Sequence, residues 1–161
     1  IPYPYKKKAQ LNIVGDGAKL DELKAQCRDN SSIVFYGAQA RKNMSAFYSA
    51  SDFLIVSLID DPVFALTVPS KTQTYIAAKK PILAIINGDT ASLIKENKLG
   101  LHADPSSVKE IALLFQRCID MGKEEKRGYL RQNDYLLSTI FSKKKTISGL
   151  LDALLDTKIP S

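Results

Sequence analysis

Apolar positions along this chain follow two rhythms. Short apolar runs recur at 11–14, 33–36, 53–58, 82–86 and 100–103, and between them apolar residues fall at helical spacing. Leu20, Leu23 and Cys27 mark a helix over 19–28, and Met44, Phe47 and Tyr48 a short one after the second run. Further helices are expected over 70–79 and 91–96, and the chain reads as helical from Ser106 onward. There Ile111, Leu114, Phe115, Cys118 and Ile119 share one face. The run FLIVSL at 53–58 is continuous, as in parallel strands covered on both faces. Strands alternating with helices of this length imply a parallel sheet with right-handed crossovers, so the expected fold is α/β, a Rossmann-like parallel sheet flanked by helices with extra helices at the C-terminal end.

Ligands of such sheets bind beyond the carboxyl ends of the strands, where helix N-termini converge. Three loops leave strands in that direction: Gly15-Asp16-Gly17, Tyr36-Gly37-Ala38, and the long connection 58–70. The Gly-Asp-Gly turn lacks the third glycine of a dinucleotide fingerprint, and no Walker lysine motif occurs. The third loop runs into VPSKTQTYIAAKKPILAII at 68–86, the stretch with the most chemistry. Ser70 followed by Gln73 matches a capping box, with Pro69 just outside the helix, where its missing N–H costs nothing. That places Lys71 and Thr72 in the first turn, where a cation opposes the helix dipole unless an anion is bound there. Pro81 and the apolar run 82–86 then end the helix and begin a buried strand. Lys79 stands at the helix end, and because a left-handed lysine costs about 1 to 2 kcal/mol, another termination is expected. Tyr75, Ile76 and Ala77 are expected in the core.

Composition narrows the classes without choosing among them. The 161 residues, 45% hydrophobic and 25% charged, suit one soluble globular domain spanning 1–161. No apolar run reaches membrane-spanning length, and the charges of IPYPYKKKAQ follow its apolar part, the wrong order for a secretory signal, so a cytoplasmic location is expected. Cys27 and Cys118 are expected to be free thiols. His102, the sole histidine, has no cysteine or acidic partner at metal-ligand spacing. The net charge of +6 favours anionic partners. Part of it is local: between 123 and 145 stand Lys123, Lys126, Arg127, Arg131, Lys143, Lys144 and Lys145. A solvated helix face is the plainer explanation of that cluster, and contact with anionic lipid headgroups the sharper one. Nucleic acid is not an expected partner, because basic and aromatic residues are little interleaved.

The order IVGDG (13–17), IVFYG (33–37), an aromatic helix leading into ASDFLIVSL (50–58), and VPSKTQTYIAAKKPILA (68–84) resembles the C-terminal, nucleotide-sugar-binding domain of glycosyltransferase family 4, which has the two-domain GT-B architecture. More narrowly it is similar to bacterial enzymes of capsule, O-antigen and other surface polysaccharide synthesis. The resemblance implies that the helix N-terminus at Ser70, Lys71 and Thr72 holds the donor diphosphate, with Gln73 and Thr74 beside it. It implies that Tyr36, Gly37 and Ala38 hold the base, that Gly15, Asp16 and Gly17 border the donor, and that the loop 60–68 reads the donor sugar. A uridine diphosphate sugar is the expected donor, no metal or other cofactor is expected, and no catalytic residue is assigned, since the family's base generally comes from its other domain. Thr74 stands where many members carry a glutamate that bonds the ribose, and a threonine supplies a single uncharged contact.

The same resemblance implies that an N-terminal acceptor domain, for a lipid-linked or saccharide acceptor, and one strand-helix unit lie outside these residues. The chain alone is then expected to be catalytically inert, and the full enzyme is expected in the cytoplasm or peripherally at the inner membrane. A non-catalytic Rossmann-like nucleotide-binding or protein-interaction module is the alternative.

Overall fold

A computed structural model of the chain describes residues 9–58, 68–131 and 133–139. Strand and helix alternate from the start: β1 (Leu11–Val14), α1 (Leu20–Gln26), β2 (Ile33–Gly37), a 3-10 turn (Arg41–Asn43) running into α2 (Met44–Ala50), and β3 (Leu54–Ser57). Then come α3 (Ser70–Ala77), β4 (Ile82–Ile85), α4 (Asp89–Glu96), β5 (Gly100–Ala103), α5 (Val108–Asp120), α6 (Lys123–Gly128) and α7 (Asn133–Ser138). Every strand pairing is parallel, as the alternation requires. The strands form two sheets, β1-β2 and β3-β4-β5. Leu11 lies opposite Ile33 in the first; Leu54, Ile82 and Gly100 lie in register across the second.

β4 explains why its sequence is unbroken Ile-Leu-Ala-Ile-Ile. All of its side chains are buried, and because successive residues point to opposite faces they build two cores. Ile82, Ala84 and Ile86 pack with Val56, Ile76 and Ile94 under α3 and α4. Leu83 and Ile85 pack with Leu114 and Cys118 of α5. Tyr75 is half-buried as expected of a core residue and Ile76 is fully buried, but Ala77 is exposed. α5 carries the apolar face its spacing promised, with Leu114 and Cys118 buried. Burial pushes the Cys118 thiol up to about 12, so it behaves as a small apolar side chain at neutral pH.

Three local expectations need correction. The side chain of Ser70 does not cap α3: Pro69 holds the cap position, its carbonyl accepts from Thr72 N–H at 2.8 Å, and Ser70 is the first helical residue. There its side chain leans back from the N–H groups ahead of it. Capping of that kind occurs instead at α5, where Ser107 Oγ accepts from Glu110 N–H at 3.2 Å and the Glu110 carboxylate accepts from Asp104 N–H at 3.1 Å. α4 begins at Asp89, two residues before the expected 91.

The third correction concerns Lys79, which does adopt the left-handed conformation, with φ of 51°. Pro81 bars Lys80 from helical geometry, so the reversal into β4 falls on Lys79, whose N–H donates to the Ile76 carbonyl at 3.0 Å. Lys98 after α4 does the same at φ 50°. Lys79→Gly is expected to raise stability by about 1 kcal/mol, read as a higher urea midpoint at unchanged m-value.

Two basic residues of the cluster, Arg127 and Lys126, have carboxylate partners. Arg127 bonds Glu124 at 2.6 Å, and Lys126 bonds Asp52 at 2.8 Å while its ammonium sits 5.0 Å from the Phe53 ring centroid. The Lys126 contacts tie α6 to the start of β3. Lys143, Lys144 and Lys145 lie outside the described residues.

Candidate functional site

Because β1 and β2 are parallel, the loops after them leave the same end of their sheet, and the loop after β3 leaves its own sheet at the carboxyl end of β4. After β1 the chain turns at Gly15, whose φ of 141° suits glycine, and its N–H donates to the Gly37 carbonyl at 2.8 Å. Gly37, at φ 65°, closes β2. That single bond joins two of the three expected loops: Gly15, Asp16 and Gly17 beside Tyr36, Gly37 and Ala38. Asp16, Gly17 and Ala38 are exposed. The third loop is described only at its ends, Leu58 and residues 68 and 69; the sugar-reading segment expected at 60–68 lies outside the described residues except for Val68.

α3 rises from that third loop. Its first-turn donors are divided by geometry, because Thr72 N–H is spent on the Pro69 carbonyl. The Ser70 and Lys71 N–H groups are left open by the helix itself. Lys71 is exposed, and it borders the same cavity as Val14 at the end of β1 and Ser57 at the end of β3. Thr72 is fully buried, yet its hydroxyl has no hydrogen-bond partner, an unusual cost for a native interior. Gln73 is exposed. The Thr74 hydroxyl donates to the Ser70 carbonyl at 3.2 Å, a back-bond within α3.

An aromatic chain links the β2 end to α3, and the sequence reading did not find it. Tyr36, 40% exposed, meets Phe47 edge-on with ring centroids 5.0 Å apart, and Tyr48, the next residue on α2, meets Tyr75 of α3 edge-on at 5.7 Å. Consecutive aromatics on a helix point about 100° apart, so Phe47 and Tyr48 serve two neighbours at once. Gln39 Nε2 donates to the Tyr36 carbonyl at 2.9 Å, fixing the loop beyond β2. Burial, with Tyr48 close by, pushes the Tyr75 hydroxyl up to about 12, so the ring stays neutral.

His102 on β5 belongs elsewhere. Its Nε2 lies 2.9 Å from the Ile86 carbonyl, and burial followed by Lys95 holds its pKa below the ordinary histidine value. Cys27 and Cys118 are free thiols. Among the described residues no group of three or more His, Cys, Asp or Glu side chains could hold a metal ion, and no helix is long and apolar enough to cross a membrane.

Comparison with known proteins supplies the frame for this arrangement. The family model described as glycosyl transferases group 1 matches residues 3–121. The chain belongs to this family. A probable glycosyltransferase of Pseudomonas aeruginosa, WbjE, is 27% identical over 135 residues, covering 79% of this chain and 34% of that protein. Two solved structures share the fold of this group 1 chain, and both are GT-B glycosyltransferases. A glycosyltransferase from Rickettsia africae superposes with a TM-score of 0.71 at 19% identity, over 93% of this chain and 41% of its own. WaaG, a glycosyltransferase involved in lipopolysaccharide biosynthesis, gives 0.66 at 17% identity, over 86% and 36%. The chain therefore spans little more than a third of the length of these relatives.

Proposed function

We propose that this chain is the C-terminal, donor-binding domain of a two-domain family 4 glycosyltransferase, and that it binds a nucleotide diphosphate-sugar for bacterial surface polysaccharide synthesis. The observation that carries the proposal is the start of α3: two first-turn backbone N–H groups that the helix itself does not use, an exposed Lys71 that borders the same cavity as Val14 and Ser57, and a buried Thr72 hydroxyl with no hydrogen-bond partner. Each of these features favours an anion with oxygen acceptors, as the diphosphate of a sugar nucleotide provides.

In this reading Lys71 offsets the charge that grows on the nucleoside diphosphate as the glycosyl bond breaks, a stabilisation that needs no metal. Gly15, Asp16 and Gly17 approach the donor from the β1 side. Tyr36, Gly37 and Ala38 receive the base, with the exposed Tyr36 ring as a stacking surface and uridine as the expected base. Thr74, whose hydroxyl proton is given to the Ser70 carbonyl, offers a ribose hydroxyl only an acceptor. Gln73, exposed one residue past the buried Thr72, is available at the rim. The acceptor is brought by polypeptide outside these residues, so the chain by itself binds without transferring sugar. The naming of the relatives, one of them tied to lipopolysaccharide biosynthesis, supports a lipid-linked or saccharide acceptor and a place at the inner face of the membrane.

Uridine diphosphate is expected to raise the unfolding temperature of the chain, by an amount corresponding to about 2.7 kcal/mol at a hundredfold excess over its dissociation constant. Lys71→Ala is expected to remove most of that gain while leaving the unfolding temperature without nucleotide unchanged, because the side chain is exposed. An equal gain in the variant would remove Lys71 from the site.

A further inference from the structure

The two halves of the candidate site stand on different sheets. Tyr36 and Gly37 close β2 of the first sheet, whereas Ser70, Lys71 and Thr72 begin α3, which packs on the second. α2 touches both halves through three consecutive residues. Phe47 meets the Tyr36 ring edge-on at 5.0 Å, Tyr48 meets Tyr75 of α3 edge-on at 5.7 Å, and the Ser49 carbonyl accepts from the Lys80 ammonium at 2.7 Å. The Ser49 carbonyl is one of the last four of α2, which the helix itself leaves open, and a lysine there also meets the negative end of the helix dipole. Lys80 stands in the turn from α3 into β4, between the left-handed Lys79 and Pro81. α2 therefore holds α3 both at its last turn and just beyond it. Tyr75 comes four residues after Lys71, so the two share one face of α3, and the Tyr48 contact fixes how that face is turned.

We propose that α2 sets the spacing between the loop after β2 and the start of α3, with Tyr48 as its principal positioning residue, so that a nucleoside diphosphate gains from occupying both halves at once. The inference rests on the nucleotide reading above and deepens it. Base and diphosphate are two linked binding groups of one ligand. Once one is bound, the other meets its subsite at an effective concentration that is high only where the spacing of the subsites matches the span of the ligand. A support that holds this spacing beforehand removes an ordering cost from binding. Tyr48 acts through Tyr75, and Phe47 acts through Tyr36. Removing the Tyr48 ring leaves each half its own seat: Tyr36 keeps Phe47, and α3 keeps the buried Ile76, whose carbonyl still accepts from Asn133 Nδ2 at 2.9 Å. What is lost is the fixed relation between the halves.

Amide chemical shifts followed during titration give dissociation constants for uridine, inorganic pyrophosphate and uridine diphosphate, measured on the chain and on Tyr48→Ala, Tyr48→Phe and Lys80→Met. The unaltered chain is expected to bind uridine diphosphate about a hundredfold more tightly than either fragment. Tyr48→Ala is expected to weaken uridine diphosphate about tenfold while changing the two fragments less than about twofold. Tyr48→Phe, which keeps the edge-on ring, should bind all three as the unaltered chain does. Lys80→Met, which removes only the bond to Ser49, should weaken uridine diphosphate about threefold and spare the fragments. A merely structural role for Tyr48 weakens the fragments as much as the diphosphate, or weakens none of the three, and either result overturns the proposal while the nucleotide reading stands. Should Tyr48→Ala fail to fold, Lys80→Met decides by the same comparison. If the unaltered chain binds no uridine diphosphate, the nucleotide reading falls, and this inference with it.

Discussion

Gly100→Ala is expected to destabilise the chain by about 3 kcal/mol or more, at the upper end of what overpacking costs. A Cβ at this position would collide with the Ile82 carbonyl oxygen and would lie 2.6 Å from the Ile82 nitrogen and 2.7 Å from its carbonyl carbon. These are backbone atoms of β4, directly opposite Gly100 in the parallel ladder, and no rotamer change relieves the contact. The ladder there depends on close approach, since Ile82 N–H donates to the Leu99 carbonyl at 3.0 Å. Separating β5 from β4 also opens both cores, because Ala103 packs on the α5 side and Leu99 on the other. Urea unfolding followed by circular dichroism should show a greatly lowered midpoint, and a loss below about 1 kcal/mol would mean that the β4–β5 register is wrong.

Ile76→Ala is expected to cost about 2 to 5 kcal/mol, the range for deleting a buried aliphatic side chain that leaves a cavity. Ile76 is 0% exposed and lies against Ile82, Ala84 and Ile94. It also fixes α3 through its backbone, since its carbonyl accepts from Lys79 N–H at 3.0 Å and from Asn133 Nδ2 of α7 at 2.9 Å. Loosening this helix moves Lys71 and Thr72, so the variant should lose nucleotide-dependent stabilisation along with global stability. The exposed Ala77 beside it provides the contrast: Ala77→Ser should change stability by less than about 0.5 kcal/mol. Similar losses at both positions would place the wrong face of α3 against the sheet.

Much of this architecture is legible in the chain itself. The apolar runs at 11–14, 33–36, 82–86 and 100–103 are strands, because β-rich runs bounded by Gly, Pro and Asn have few other uses. α3 starts one residue before the position its sequence predicts, for a physical reason. Ser-x-x-Gln fits a capping box, but Pro69, with its extended backbone, takes the cap position first. Lys79 shows the opposite failure, in which a local preference against left-handed lysine yields to the need to turn into β4 before Pro81.

Sequence order could not reveal that the strands fall into two sheets, since edge pairing joins residues far apart in the chain. The Tyr36–Phe47 and Tyr48–Tyr75 contacts were hidden likewise, although adjacent aromatics on a short helix were a usable signal. At the candidate site the sequence names the start of α3 and the loops after β1 and β2, and the folded chain joins those two loops through the Gly15–Gly37 bond. The unsatisfied Thr72 hydroxyl and the shared placement of Lys71, Val14 and Ser57 required the folded geometry.

The central claim is that the start of α3 receives the diphosphate of a nucleotide donor, and titration of the isotope-labelled chain with uridine diphosphate, followed by amide chemical shifts, tests it most directly. The account predicts saturable shifts at Ser70, Lys71 and Thr72, with a second group at Tyr36, Gly37 and Ala38. Shifts confined to other elements, or none at any nucleotide concentration, would contradict it.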